Sequence, residues 1–337
     1  MKAAYLDRPL TIAISSVPKP EPLAGELCVR LTATGICGSD VHLFRGHRPL
    51  PGPTIIGHEG IGVIAGIGDG VAGRSMGERV AIEPNIPCGT CRHCLRGRGN
   101  ICPDKRVIGQ TEAGCFAEYI CLPAAFCHTI PDEVSDADAV TIEPMAVAWH
   151  ALTVSGAQPG EAIAVIGLGS IGLLLTHLGI ALGYTVYVVE VNQAKLAIAT
   201  RLGAIAVDAE PVPAAGSFEL KLYWEAAAVC AVFECAGSDV TASLATASAP
   251  RGAAVVLVGL SPMPASFVPL IMAREGISIV PSIIYDHPAD FEKVIQLIRT
   301  GVIRPGFIVS KYMSLDDLQA ALELASRGTE TKIVISL

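Results

Sequence analysis

From residue 1 to about 150 the apolar positions fall in short runs rich in valine and isoleucine: LCVRLTATG (27–35), IIGHEGIGVIAGIG (55–68) and GERVAIEP (77–84), separated by Gly and Pro. Runs of strand length with frequent turn residues predict a compact, mostly β domain. From Pro159 the pattern changes to apolar strands alternating with segments of helix length, the order of an α/β fold around a parallel sheet. Residues 162–191 are nearly uncharged and long enough to imitate a membrane span, but glycines and His177 interrupt them. They read instead as a buried strand, a tight turn, a helix and a second buried strand, so no membrane partner is expected. AVFECAG (231–237), AAVVLVGL (253–260) and ISIVPSI (277–283) continue the strand series, with Cys230 and Cys235 expected in the core. Two helices follow, HPADFEKVIQLIRTG (287–301) and SLDDLQAALELASRG (314–328). The second is opened by Ser314 with Asp317 three residues on, and both stop at glycine, Gly301 and Gly328. A last strand, TKIVISL (331–337), is expected to return to the first domain. The interval 209–228 yields only a helix in ELKLYWEAAA.

A chain of 337 residues exceeds the size at which one core keeps growing, which predicts two domains. The net charge of -8 repels polyanions, so nucleic acid is not an expected partner. Eleven cysteines in a chain this long, behind a start that looks like a first strand, suit a cytoplasmic protein with reduced, metal-binding thiols better than a disulfide scaffold.

Two stretches then carry chemistry. GICGSDVHLFRGHRPLPGPTIIGHE (35–59) holds Cys37, Ser39, His42, His58 and Glu59. A thiolate, imidazoles, a carboxylate and proton-passing groups are the inventory of a catalytic zinc site with one open position. Taken singly, the same residues read as a small core cysteine, a satisfied histidine and a surface charge. In CGTCRHCLRGRGNIC (88–102), Cys88, Cys91, Cys94 and Cys102 are spaced by two, two and seven residues, the pattern of a closed structural zinc cage. Arg92, Arg96, Arg98, Lys105 and Arg106 surround it and read as compensation for its negative charge. Glu143 precedes Pro144 at the start of the helix VTIEPMAVAWHALTVSG. Its carboxylate can sit on the metal or interact with the positive end of the helix dipole.

In AIAVIGLGSIG, Gly167, Gly169 and Gly172 follow a buried strand and open a helix, and Glu190 ends the next strand. That context predicts a dinucleotide fold, the glycines admitting a pyrophosphate at the helix N-terminus with Ser170 and Ile171. Glu190 accepts from the adenosine ribose and repels a 2′-phosphate, and Val191 and Asn192 offer no cation, so NAD is expected over NADP; Lys195 is the residue able to upset this. Cys235, Ala236, Gly237, Val258 and Gly259, at the ends of later strands, are further expected cofactor contacts.

With GICGSDVH, GHE, the four-cysteine lobe, GLGSIG and Glu190 in this order, the whole chain resembles the zinc-dependent medium-chain dehydrogenases, the alcohol dehydrogenase-like superfamily. The resemblance implies an α/β architecture: a doubly wound Rossmann domain (150–286) inserted in a mostly β, GroES-like catalytic domain (1–149 and 287–337). It implies Cys37 and His58 as catalytic-zinc ligands, Glu59 as an acidic neighbour that ligates in some members, Ser39 and His42 as the proton relay, and the lobe cysteines as structural-zinc ligands, hence two zinc ions per chain. Glu143 stands where typical alcohol dehydrogenases place a cysteine, and IEPMAVAWHA looks like the sorbitol and butanediol dehydrogenases. Ser282, Ile283, Ile284 and Tyr285 look closer to the butanediol type, which implies NAD-linked oxidation of a secondary alcohol or small polyol. Threonine dehydrogenase-like oxidation and a non-catalytic NAD- and zinc-binding protein are the alternatives. Relatives imply a homodimer or homotetramer.

Overall fold

The computed structural model describes residues 1–48, 50, 52–207 and 217–337. Part of the uninterpreted interval 209–228, and Pro49 and Pro51 of the 35–59 stretch, lie outside them. The chain divides into two compact units, Met1–Glu143 with Asp286–Leu337, and Pro144–Tyr285. No helix of the described residues is long and apolar enough to cross a membrane.

The first unit is built on the strand Glu26–Gly35, which pairs antiparallel with Glu59–Ile67, Tyr119–Pro123 and Ile333–Ser336. Its alternating residues Leu27, Val29 and Leu31 are fully buried against Ile64, Val80 and Ile82, and Cys28 between the first two is buried as well. The N-terminal stretch forms a hairpin of Lys2–Arg8 and Thr11–Ser16. The final strand lies against Ala33, Thr34 and Gly35, while Glu59 pairs with Gly35 from the other side. This register brings residues 332, 35 and 59 to one end of the sheet. Gly35 is required there, because a Cβ would stand 2.0 Å from Glu59 Oε2.

In the second unit six parallel strands run in the order Ile205–Ala206, Thr185–Val189, Ala162–Ile166, Val229–Glu234, Ala254–Leu257, Ser278–Pro281. This is the doubly wound arrangement with its reversal beside the first strand. Every residue of Ala162–Ile166 is buried, as expected for a parallel strand covered on both faces. The stretch that imitates a membrane span is strand Ala162–Ile166, helix Ser170–Ala181 and strand Thr185–Val189. The 219–228 segment lies largely in a helix, Ser217–Ala226, anchored by fully buried Trp224.

Two expectations need correction. Cys230 and Cys235 are only half-buried, because one sits near the start of strand Val229–Glu234 and the other just past its end. The last helix starts after Asp317: a 3-10 turn, Leu315–Asp317, comes between, and Ser314 Oγ donates to Asp317 Oδ2 at 2.7 Å instead of capping a backbone N–H.

Candidate active site

Cys37 follows the central strand and caps the short helix Gly38–Phe44. Asp40, fully buried in that helix, accepts from the Cys37 N–H at 2.9 Å and from the Gly57 N–H at 3.2 Å. One carboxylate thus ties the loop of Cys37 to the residue before His58. The same Asp40 lies 3.3 Å from His58 Nδ1, within ion-pair distance though not aligned as a hydrogen bond. The other ring nitrogen, Nε2, is 3.5 Å from Ser39 Oγ. Donor atoms of Cys37, His58 and Glu59 all lie within 4.8 Å of one another. Burial works against charging His58, but Asp40 and Cys37 outweigh it and hold the imidazole well above the usual histidine range.

Glu59 is fully buried, and both its oxygens accept from Lys332 Nζ at 2.7 Å. Lys332 also donates to the Ile36 carbonyl at 3.2 Å. Glu143, in the first turn of helix Ile142–Val154, is buried in the same charge cluster. Burial pushes its carboxyl up to about 7, with Glu59 and Asp40 adding to the rise and His58 and Lys332 opposing it. Sulfur, imidazole and carboxylate donors converge here, half-buried Cys37 beside buried His58 and Glu59, and that chemistry fits a zinc ion. A carboxylate beside the histidine, as Asp40 is here at 3.3 Å, is also a common neighbour of a zinc-ligating imidazole.

His42 lies one helical turn from Ser39, is exposed, and sits with its Nδ1 3.1 Å from His47 Nδ1. Partial burial lowers its pKa, and His47, Arg45 and Arg48 lower it further.

In the lobe, Cys91 and Cys94 sulfurs are 3.5 Å apart, Cys88 and Cys94 3.9 Å, and Cys91 and Cys102 3.9 Å. Tetrahedral zinc with bonds of about 2.3 Å places its sulfurs about 3.8 Å apart, so the cage has zinc dimensions. Hydrogen bonds from Thr90 and Cys91 draw the Cys88 thiol down to about 6. Desolvation and the neighbouring Cys91, Cys102 and Cys88 push Cys94 up to about 12. Crowded thiols that cannot all ionise fit a site completed by a cation. Of the basic residues around it, Lys105 donates to the Asn100 carbonyl and senses the charge of Cys102, while Arg92 turns to His93 and Arg106 to Glu112.

The glycine turn of the second unit is as tight as its sequence implies. Gly167 has φ +91°, and a Cβ on Gly172 would stand 1.9 Å from the Gly167 carbonyl oxygen; at Gly169 the space is open. Glu190 accepts from the Leu168 N–H at 2.6 Å and from the Asn192 N–H at 2.8 Å, which fixes its carboxylate beside the turn. Asn192 caps the next helix, with Lys195 in its first turn. Glu234, buried at the end of its strand, accepts from the N–H groups of Ala236 and Gly237 and from Thr241 Oγ1, and its carbonyl accepts from Val258 and Gly259. A Cβ at Gly259 would lie 2.3 Å from Gly237 N. Cys235 N–H bonds to the Ile166 carbonyl. The later strand ends thereby gather around the same turn.

Asp40, Lys332, Glu234 and His47 were not singled out from sequence. Asp40 alone left a signal, standing three residues after Cys37 in the capping-box position.

Residues 23–132 match the family model for the alcohol dehydrogenase GroES-like domain and residues 170–300 that for zinc-binding dehydrogenases. The sorbitol dehydrogenase of Bacillus subtilis strain 168 is 33% identical over 96% of this chain and 93% of its own. The chain belongs to the zinc-type medium-chain dehydrogenase family. This oxidoreductase also superimposes on an Escherichia coli CFT073 short chain alcohol dehydrogenase (rspB) complexed with NADH, at TM-score 0.92, 29% identity and coverage of 100% and 99%. A Sinorhizobium meliloti 1021 protein bound to NADP gives TM-score 0.91, 30% identity and coverage of 100% and 99%. The family establishes zinc and a nicotinamide cofactor for an alcohol or polyol dehydrogenase with a GroES-like and a Rossmann-like domain.

Proposed function

We propose that the enzyme oxidises a secondary alcohol or small polyol to the ketone with NAD, using two zinc ions per chain, as a cytoplasmic homodimer or homotetramer. The observation that carries the reading is the convergence of half-buried Cys37 with buried His58 and Glu59, with Asp40 behind them.

What zinc supplies at such a site is Lewis acidity, which lowers the pKa of a hydroxyl as it lowers that of water from about 15.7 to about 7. Cys37 and His58 hold the ion, with Glu59 and Glu143 as its carboxylate neighbours. Asp40 lies at ion-pair distance from His58 Nδ1, and Nε2 faces Ser39. Ser39 and His42 take the alcohol proton outward, from a half-buried hydroxyl to an exposed imidazole. Lys332 occupies both oxygens of Glu59, so Glu59 would reach a metal only if it loosened that pair. Gly167, Gly169 and Gly172 admit the dinucleotide pyrophosphate. Glu190, already oriented by two backbone N–H groups, has lone pairs left for ribose hydroxyls and repels a 2′-phosphate, which supports NAD over NADP.

The test is NADH formation across butanediol, sorbitol, galactitol, inositols and threonine, with metal content measured on the same preparation. Turnover on diols or polyols, at least about tenfold better with NAD than with NADP, is expected. Turnover confined to threonine would move the reading to amino-alcohol oxidation. Silence with every alcohol would favour a binding protein on this fold.

A further inference from the structure

A second group of donors in the first unit has no part in this chemistry. Glu83 follows strand Arg79–Ile82, His128 lies in its antiparallel neighbour Cys127–Thr129, and His287 precedes helix Ala289–Arg299. The three meet: Glu83 Oε2 accepts from His128 Nε2 at 2.6 Å and from His287 Nδ1 at 2.7 Å. All three donor atoms lie within 4.8 Å of one another.

Glu83 is fully buried, and its second oxygen, Oε1, is shielded from solvent with no hydrogen-bond partner. Its ion-pair partners among the described residues are the two histidines. A buried carboxylate with an idle oxygen is costly unless something satisfies it. The imidazoles are braced by aromatic rings, His128 on Phe291 at 4.8 Å and His287 on Phe126 at 4.4 Å between centroids. The His287 side chain is 29% exposed and, with His128, lines a cleft of about 590 Å³ that gives access from solvent. The cleft carries Glu292 as well as Arg74 and Arg299, and Arg74 is already paired with Glu78 at 3.1 Å.

We infer that Glu83, His128 and His287 form a third metal site, a two-histidine, one-carboxylate set for a divalent transition ion of the zinc class. Around a tetrahedral ion with bonds of about 2.0–2.2 Å, donors stand about 3.3 Å apart. The present contacts therefore open by roughly half an ångström on binding, a shift that half-exposed His287 can make. On binding, each imidazole shifts its proton to its other ring nitrogen and offers the freed lone pair to the ion in place of its hydrogen bond to Oε2, and the side toward the cleft that His128 and His287 line stays open. This site differs from the four-cysteine cage in its harder donors and its open side, so it is the weaker and more exchangeable of the two.

The test is zinc binding by the holoenzyme, prepared with its resident metal and titrated in a zinc buffer, against His287→Ala. Wild type is expected to take up one further zinc ion per chain, and the variant to hold it at least about tenfold more weakly with basal turnover unchanged. Equal uptake and affinity in both proteins would mean an adventitious ion only and overturn the site. Anomalous scattering from wild-type crystals soaked in zinc decides the matter independently of how the variant folds. A peak bounded by the three side chains supports the site, and a fully soaked crystal without one overturns it.

Discussion

The four-cysteine lobe and the Cys37 cluster use overlapping chemistry but are assembled in opposite ways. The lobe draws its donors from a single loop of fifteen residues, half-exposed, shaped by left-handed turns at Gly89 and Gly97. In the Cys37 cluster His58 and Glu59 are buried and Cys37 half-buried, and its donors and supports come from chain segments as far apart as Glu59 and Lys332, 273 positions away in sequence. A local cage needs only a loop that can turn. A dispersed one needs a sheet in correct register, with Gly35 leaving room for Glu59. The lobe should therefore serve stability and the cluster turnover, and the two can be perturbed separately.

Cys37→Ala should show the largest effect on catalysis, a loss of about a thousandfold or more in kcat, with dinucleotide binding retained in a fluorescence titration. A parallel loss of dinucleotide binding would break the separation. Cys94→Ser should act in the opposite sense, lowering stability by several kcal/mol, since closed cysteine sites contribute folding free energy on the order of 10 kcal/mol. An unchanged thermal midpoint would show that the lobe is not holding metal. Lys332→Met leaves Glu59 buried and unpaired, and urea unfolding should register a loss of about 3–5 kcal/mol. Adding Glu59→Gln should recover most of it; no recovery would place the role of Lys332 elsewhere. The smallest effect expected is that of Glu190→Gln, a fall of about tenfold in the NAD over NADP ratio of kcat/KM, about 1.4 kcal/mol. An unchanged ratio would assign cofactor choice to other residues, Lys195 foremost.

Much of the site was legible in the chain. The lobe could be read because its cysteines are neighbours, and the glycine turn because strand, Gly167, Gly172 and helix follow one another directly. Cys37 and His58 were readable as donors, yet nothing in their spacing shows that Asp40 reaches both the Cys37 and Gly57 amides. Nothing in TKIVISL sets Lys332 apart, and only its burial against Glu59 gives it a role. Glu234 was hidden for the same reason: it reads as the end of a strand until its oxygens are seen to hold Ala236, Gly237 and Thr241. Sequence proximity places basic residues beside the lobe but does not orient long side chains: Arg106 reaches the carboxylate of Glu112 and Arg92 reaches His93.

By itself the sequence determined the two fold types, the closed cysteine cage and the dinucleotide turn, because each depends on periodicity or on short-range spacing. The tertiary structure alone decided which buried charges meet. Lys332 with Glu59, Asp40 with His58, and Glu83 with His128 and His287 are set by strand register and by the return of the chain to its first sheet. In a low-dielectric interior, such encounters determine which charges are stable and which donors can share an ion.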